Sequence, residues 1–271
     1  TWPAPDFADD GVQLLARPLS DVAGPGGRIG LPSGPETHLR MPLAAFEALK
    51  AQVPAMAFGA DAGIVTALRI VKSPAEVARI EAATSVAARA FDRLKEIAGR
   101  GVPLSAVFRD FQRLCLEEGA DWVPYLAGGA GPLGYDDVIS PASDAPLQQG
   151  DVLMLDTGLV RQGYFCDFDR NWSVGPASAA AQSGWARLLE ATEAGCSAIR
   201  PGARACDLYH AMAAVTGAGE GGRLGHGLGM QLTEGLSLTA SDQKVEKLQR
   251  SRPNRACISL ISATWALPSD I

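Results

Sequence analysis

Residues 150–172, GDVLMLDTGLVRQGYFCDFDRNW, constrain the fold more than any other part of this chain. Two apolar runs flank Arg161-Gln162-Gly163, which suits a short β-hairpin loop because glycine accepts a positive φ. We expect Val160 to oppose Gly163, and Asp156 therefore to oppose Asp167. Directly opposed residues share one face of a sheet.

Two carboxylates held together in a half-buried sheet repel each other, which costs stability unless a positive charge lies between them. A divalent metal ion is the usual solution in proteins. Asp156 and Asp167 therefore predict a metal site. The alternative is a pair of solvated aspartates at the rim of a hairpin.

A second candidate is His226, which lies between Gly225 and Gly227. Flanking glycines allow close backbone packing and leave the imidazole open to a ligand. An isolated histidine is more often bonded to a backbone carbonyl, and His38 and His210 have no comparable context.

Before the hairpin, Ser73-Pro74-Ala75-Glu76 has the pattern of a capping box and predicts a long amphipathic helix that ends near Gly99. Weak strand signals are present at residues 12–15 and 28–31, and residues 43–50 predict a short helix. Residues 121–149 indicate a long Gly-rich connection. It is not a phosphate loop, because the Lys-Ser/Thr ending is missing.

Composition excludes several classes of function. The net charge of −6 argues against nucleic-acid and anionic-membrane partners. No apolar run approaches the length of a membrane span, and no signal peptide is visible. The five cysteines show neither metal-ligand nor redox spacing, which favours free thiols in the cytoplasm.

Taken together, these motifs resemble the pita-bread family of aminopeptidase P, prolidase, methionine aminopeptidase and creatinase. The matching segments are residues 70–76, 150–158, 167–170 and 225–229. The resemblance implies an α+β fold with a curved antiparallel sheet flanked by helices. We expect a remnant of the N-terminal α/β domain and linker at 1–70, an incomplete catalytic domain at 71–243 and an atypical tail at 244–271.

The resemblance also implies a site for two divalent metal ions, with Mn the first choice and Co, Zn or Fe the alternatives. By motif match, Asp156, Asp167 and His226 are metal ligands. The metals of such a site activate water, and most relatives hydrolyse an amide bond, as Xaa-Pro aminopeptidases and prolidases do. A peptide or small-molecule substrate is expected, and a homodimer is possible by analogy.

Several positions depart from the family pattern. Thr233 replaces a usual histidine, and Tyr135 lies in a loop where peptidases place another, so both are candidate substrate-binding residues. Glu234 matches the family and is the candidate catalytic carboxylate. Asp169 replaces a common Thr or Ser and is interpreted as a supporting carboxylate, a partner for Arg170, or an extra ligand or base.

These departures leave other functions open. One is a small-molecule enzyme on the same fold, of the creatinase, ectoine-hydrolase or dimethylsulfoniopropionate-lyase type. Another is an inactive binding module, because the two Glu ligands of the family are not found. The sequence after Gln243 turns basic and then apolar, and a truncated or frame-shifted C-terminus is our hypothesis for it.

Overall fold

The computed structural model describes residues 8–9, 11–34, 37–132, 134–135, 141–200, 202–217, 219, 221–242 and, for the backbone alone, 258–260. The chain divides into two compact units, Thr1–Leu68 and Arg69–Ile271. The three predicted regions remain a prediction, and most of the tail lies outside the described residues.

The first unit contains helices and a two-stranded parallel sheet in which Arg28 pairs with Ala57. The strand signal at residues 12–15 is wrong, because this segment begins a helix. The Asp9 carboxylate accepts hydrogen bonds from the N–H groups of Gly11 and Gln13 and so caps that helix. The elements are α1 Val12–Ala23, β1 Arg28–Leu31, α2 Leu43–Gln52 and β2 Ala57–Ala60.

Helix α3, Ile64–Ile70, crosses the boundary between the units, and the second unit then alternates helices with an antiparallel sheet. The predicted capping box is confirmed, since Ser73 and Glu76 exchange both capping hydrogen bonds. The further elements are α4 Pro74–Asp92, α5 Leu104–Glu117, β3 Trp122–Gly131, β4 Val152–Arg161, β5 Tyr164–Phe165, β6 Phe168–Ser173, α6 Ala179–Ala198, α7 Ala205–Thr216, β7 Gly225–Gly227 and β8 Ile258–Leu260.

Helix α4 ends at Asp92, earlier than predicted, and the chain continues as a short 3-10 helix over Leu94–Glu96. Arg93 at this junction bonds Glu96 and Glu118, which fixes the change of direction. The predicted apolar stripe is still used, because Leu94 and Ala98 are buried in the core.

The hairpin is present, but its register differs from the prediction by two residues. Gln162 and Gly163 are the two turn residues, both with positive φ (52° and 79°), so Arg161 pairs with Tyr164. A two-residue turn with positive φ at both positions matches the right-handed twist of the strands. Asp156 consequently pairs with Asp169, not with Asp167.

The prediction that residues 121–149 form a connection is also wrong for the first part of this segment, because Trp122–Gly131 forms strand β3. Strand β3 pairs with β4 along its length, with Gly128 opposite Leu155. A side chain at Gly128 would meet the backbone of Met154 and, at 3.2 Å, the ring of Phe108. Close packing therefore requires glycine at position 128, although glycine usually weakens a strand.

Helices α4 and α5 cover one face of the sheet. The Phe91 ring lies 4.5 Å from Phe111 and 5.1 Å from Trp172, measured between ring centroids. Since side chains alternate along a strand, Phe168 and Trp172 of β6 face these helices. Asp169 and Asn171 therefore face the opposite side.

Candidate metal and catalytic site

The polar face of β6 begins just before the strand, at Asp167. Asp167, Asp169 and Asn171 follow at intervals of two residues, and Asp156 of β4 lies directly opposite Asp169. Because the observed register differs from the predicted one by two residues, Asp156 and Asp167 still share this face, as diagonal neighbours. Cys166 faces the other way into the apolar core, as the alternation requires.

The carboxyl groups on this face perturb one another. Burial, and then the charge of Asp167, raises the pKa of Asp156 to about 7. Burial, with the charges of Asp156 and Asp167, also raises the pKa of Asp169. Of the three interpretations of Asp169, the pairing with Arg170 takes another form, because the Arg170 guanidinium donates to the Asp169 backbone carbonyl.

His226 lies on β7, and its ring is fixed at both nitrogens. Nδ1 lies 3.1 Å from the Gly227 carbonyl oxygen, and Nε2 lies 2.9 Å from Oδ2 of Asp167. A carbonyl only accepts, so Nδ1 carries a proton, and in neutral imidazole Nε2 is then an acceptor. Two acceptors that face each other need a proton or a metal cation between them.

Two tyrosines complete the cluster. The Tyr125 hydroxyl donates to Oδ2 of Asp156 at 3.1 Å. Tyr135, predicted from its loop position, is placed here, since burial and then the charges of Asp169 and Asp156 raise the pKa of its hydroxyl to about 12. The sequence does not predict Tyr125 as a site residue, because residues 121–149 indicate a connection and not a strand. The signal available was the β-prone run from Trp122 to Tyr125.

Glu234, unlike the carboxyl groups on the polar face of the sheet, is paired with cationic side chains. Its carboxylate forms ion pairs with the Arg69 guanidinium and, at 2.8 Å, with Lys72 Nζ. Sequence reasoning missed both partners. Thr233 precedes Glu234 in the loop after His226, and its substrate-binding role remains a prediction.

The donor types of Asp156, Asp167 and His226 fit a divalent cation, because oxygen and imidazole donors converge without a cation of their own. Buried Asn171 Nδ2 on the same face also has no hydrogen-bond partner. However, no group of three or more His, Cys, Asp or Glu side chains among the described residues is arranged to hold a metal ion. The two-metal site implied by the resemblance is therefore incomplete in this part of the chain.

Solved structures with the same architecture define the class of protein. The X-Pro aminopeptidase from Thermotoga maritima has a TM-score of 0.76 at 23% identity, over 88% of this chain and 66% of that one. Dipeptidase PepE from Mycobacterium ulcerans has a TM-score of 0.72 at 26% identity, over 88% and 63%. The chain is an α+β protein with the pita-bread fold.

Metallopeptidase family M24 matches residues 78–252, and the chain belongs to this family. Relatives include the uncharacterized peptidase YqhT of Bacillus subtilis, 30% identical over 184 residues, covering 65% of this chain and 52% of the relative. The probable dipeptidase PepE of Mycobacterium tuberculosis is 31% identical over 191 residues, covering 67% and 50%. This chain thus spans about half the length of the curated relatives that it matches.

In the part of the chain that the structure describes, no helix is long and apolar enough to cross a membrane.

Proposed function

We propose that the protein is a metal-dependent hydrolase of amide bonds in peptides, of the Xaa-Pro dipeptidase or aminopeptidase type. The main support for this proposal is that His226 Nε2 lies 2.9 Å from Asp167 Oδ2, while the charge of Asp167 also acts on the Asp156 carboxyl group. Asp156, Asp167 and His226 would hold a divalent metal, with manganese the first candidate. When bound, such a metal activates water and polarises the substrate carbonyl.

The protein residues contribute orientation and charge. Tyr125 fixes the Asp156 carboxylate through its hydroxyl, and the Gly227 carbonyl fixes the His226 tautomer. Such supporting hydrogen bonds orient the groups that bind a metal. Tyr135 lies close enough to feel the charges of Asp156 and Asp169, so its hydroxyl is a candidate contact for the substrate.

Metal retention tests the proposal directly. The 271-residue chain, loaded with Mn²⁺ or Co²⁺ and desalted, should retain metal, and Asp156→Ala should lose it. Asp110→Ala is the control, because Asp110 pairs with Arg113 in an exposed ion pair. Absence of retained metal in the unmodified chain would reject the proposal for this chain.

A small-molecule substrate on the same fold is the second candidate. It is favoured by Thr233 and Tyr135, which stand at positions that the peptidase pattern gives to histidines. Xaa-Pro dipeptides, other dipeptides and small cyclic or N-alkylated amides should be assayed side by side with the metal-loaded protein. Peptide turnover supports the first candidate and small-amide turnover the second. Metal retention without turnover supports an inactive binding module.

The cellular location belongs to the same proposal. Cys115 and Cys166 are buried free thiols, and burial raises the pKa of the Cys115 thiol to about 12. Inert, reduced thiols of this kind support a cytoplasmic location.

A further inference from the structure

Glu234 is a buried carboxylate whose two oxygens are both occupied. Oε1 lies 2.8 Å from Lys72 Nζ, and Oε2 pairs with the Arg69 guanidinium and accepts the Gln231 N–H at 3.2 Å. The side chains of Lys72 and Glu234 are only 4% and 7% exposed. A buried carboxylate bound by two cations has its charge compensated without a metal ion.

The position of this cluster connects it to His226. The histidine loop, residues 228–235, leaves β7 immediately after His226 and Gly227 and returns at Glu234. Its return is closed by the Glu234 N–H, which donates to the Gly227 carbonyl oxygen at 2.9 Å. The same oxygen lies 3.1 Å from Nδ1 of His226. One carbonyl therefore joins the Glu234 backbone to the imidazole.

The loop packs closely against the Glu234 side chain at Gly229. A Cβ at Gly229 would overlap the Glu234 carboxylate and would approach Lys72 Cε to 2.7 Å. The Gly229 carbonyl also accepts the Phe165 N–H of β5 at 2.8 Å. The loop is thus held between the Arg69–Lys72 segment and the hairpin that carries the aspartates.

We propose that Glu234, held by Lys72 and Arg69, is a positioning residue for His226. Its ion pairs fix the return of the histidine loop, the loop fixes the Gly227 carbonyl, and that carbonyl sets the tautomer and direction of the imidazole toward Asp167. This role differs from the catalytic role that the sequence predicts for Glu234. The inference rests on the proposed function only in treating His226 as a site residue.

Side-chain NMR of ¹⁵N-histidine-labelled, metal-free protein tests this role. The chain has three histidines, so His226→Asn assigns one signal and His38 and His210 serve as internal references. Glu234→Gln should shift or double the His226 signals and leave the other two unchanged. The milder Glu234→Asp, which keeps the charge but withdraws the carboxylate, should shift them less. Glu47→Gln, which removes the acid of an exposed pair with Lys50, should shift none.

Unchanged His226 signals in folded Glu234→Gln would overturn the proposal, as would equal movement of all three histidines, which indicates a general structural role. If Glu234→Gln fails to fold, Glu234→Asp gives the same two outcomes. The readout needs neither metal nor substrate. A wild-type chain that retains no metal would therefore reject the proposed function and leave this result standing.

Discussion

Two groups of buried acids lie in the second unit, and they are balanced in opposite ways. Glu234 is one carboxylate with two cationic partners, Arg69 and Lys72. The polar face of the sheet has three carboxyl groups, of Asp156, Asp167 and Asp169, and the imidazole of His226 beside them. The first group is electrostatically complete without a ligand, whereas the second has an excess of negative charge.

This difference separates a structural role from a ligand-binding role more clearly than burial does. Breaking a satisfied buried ion pair leaves an uncompensated charge and lowers stability. Removing one carboxylate from an acid cluster that has no bound cation relieves charge repulsion and instead lowers the affinity for a cation. The two groups should therefore respond in opposite directions when one charge is removed from each.

The largest effect is expected at Lys72. Lys72→Met should lower the free energy of unfolding by about 3 kcal/mol, because it leaves the buried Glu234 carboxylate with Arg69 alone. Chemical denaturation measures the loss. Lys50→Met removes the matching cation from an exposed pair with Glu47 and should change stability by less than about 0.5 kcal/mol. Equal effects of the two variants would contradict the distinction.

A bound cation should complete the acid cluster. Mn²⁺ at about 100 times its dissociation constant should stabilise the protein by about 2.7 kcal/mol, measured as a rise in the unfolding temperature. Asp156→Asn should abolish that rise, and the exposed Asp110→Asn should keep it. A rise that persists in Asp156→Asn would show that Mn²⁺ binds elsewhere.

Without metal, Asp169→Asn should stabilise the protein by about 1 kcal/mol, because burial and the charges of Asp156 and Asp167 raise the pKa of Asp169 and so disfavour its ionised form in the folded state. Asp169 faces Asp156 across the strand pair. The comparison is made by urea denaturation in the presence of a chelator and then with saturating Mn²⁺. The gain should shrink with metal bound. A loss of stability in the chelated protein would mean that the carboxylate already has a favourable partner.

The sequence predicted the parts of this site that depend on local pattern. Alternation along the hairpin places Asp156 and Asp167 on one face, and that result survives a register shift of two residues because side chains repeat every two residues. The capping box at Ser73 is local in the same way. The expected fold is what the resemblance of these motifs to the pita-bread family implies.

Long-range packing could not be predicted. Strand β3 depends on the close approach of β4 and α5 to Gly128, and Tyr125 reaches the site only through that strand. The partners of Glu234 lie far away along the chain, since Arg69 precedes it by 165 positions. Neither composition nor periodicity indicates such a contact, so the sequence does not predict the ion pairs of Glu234, and its catalytic role remains a prediction from the motif match.

The smallest effect on stability is expected at the Gln162-Gly163 turn, which sets the register that pairs Asp156 with Asp169. Gln162 has φ of 52°, a conformation that is costly for most side chains, whereas asparagine accepts it more readily. Gln162→Asn should stabilise the protein by about 0.5 kcal/mol in chemical denaturation and leave Mn²⁺ binding unchanged. The Asp121 carboxylate that accepts the Gln162 N–H keeps its partner, since the bond is to the backbone.

If the loop instead had Val160 opposite Gly163, Arg161 and Gln162 would be the turn residues. The free energy of unfolding of Gln162→Asn should therefore be compared with that of Arg161→Asn, which is expected to give no gain in stability. A larger gain in stability for Arg161→Asn would support the register in which Asp156 lies opposite Asp167. It would contradict the pairing of Asp156 with Asp169.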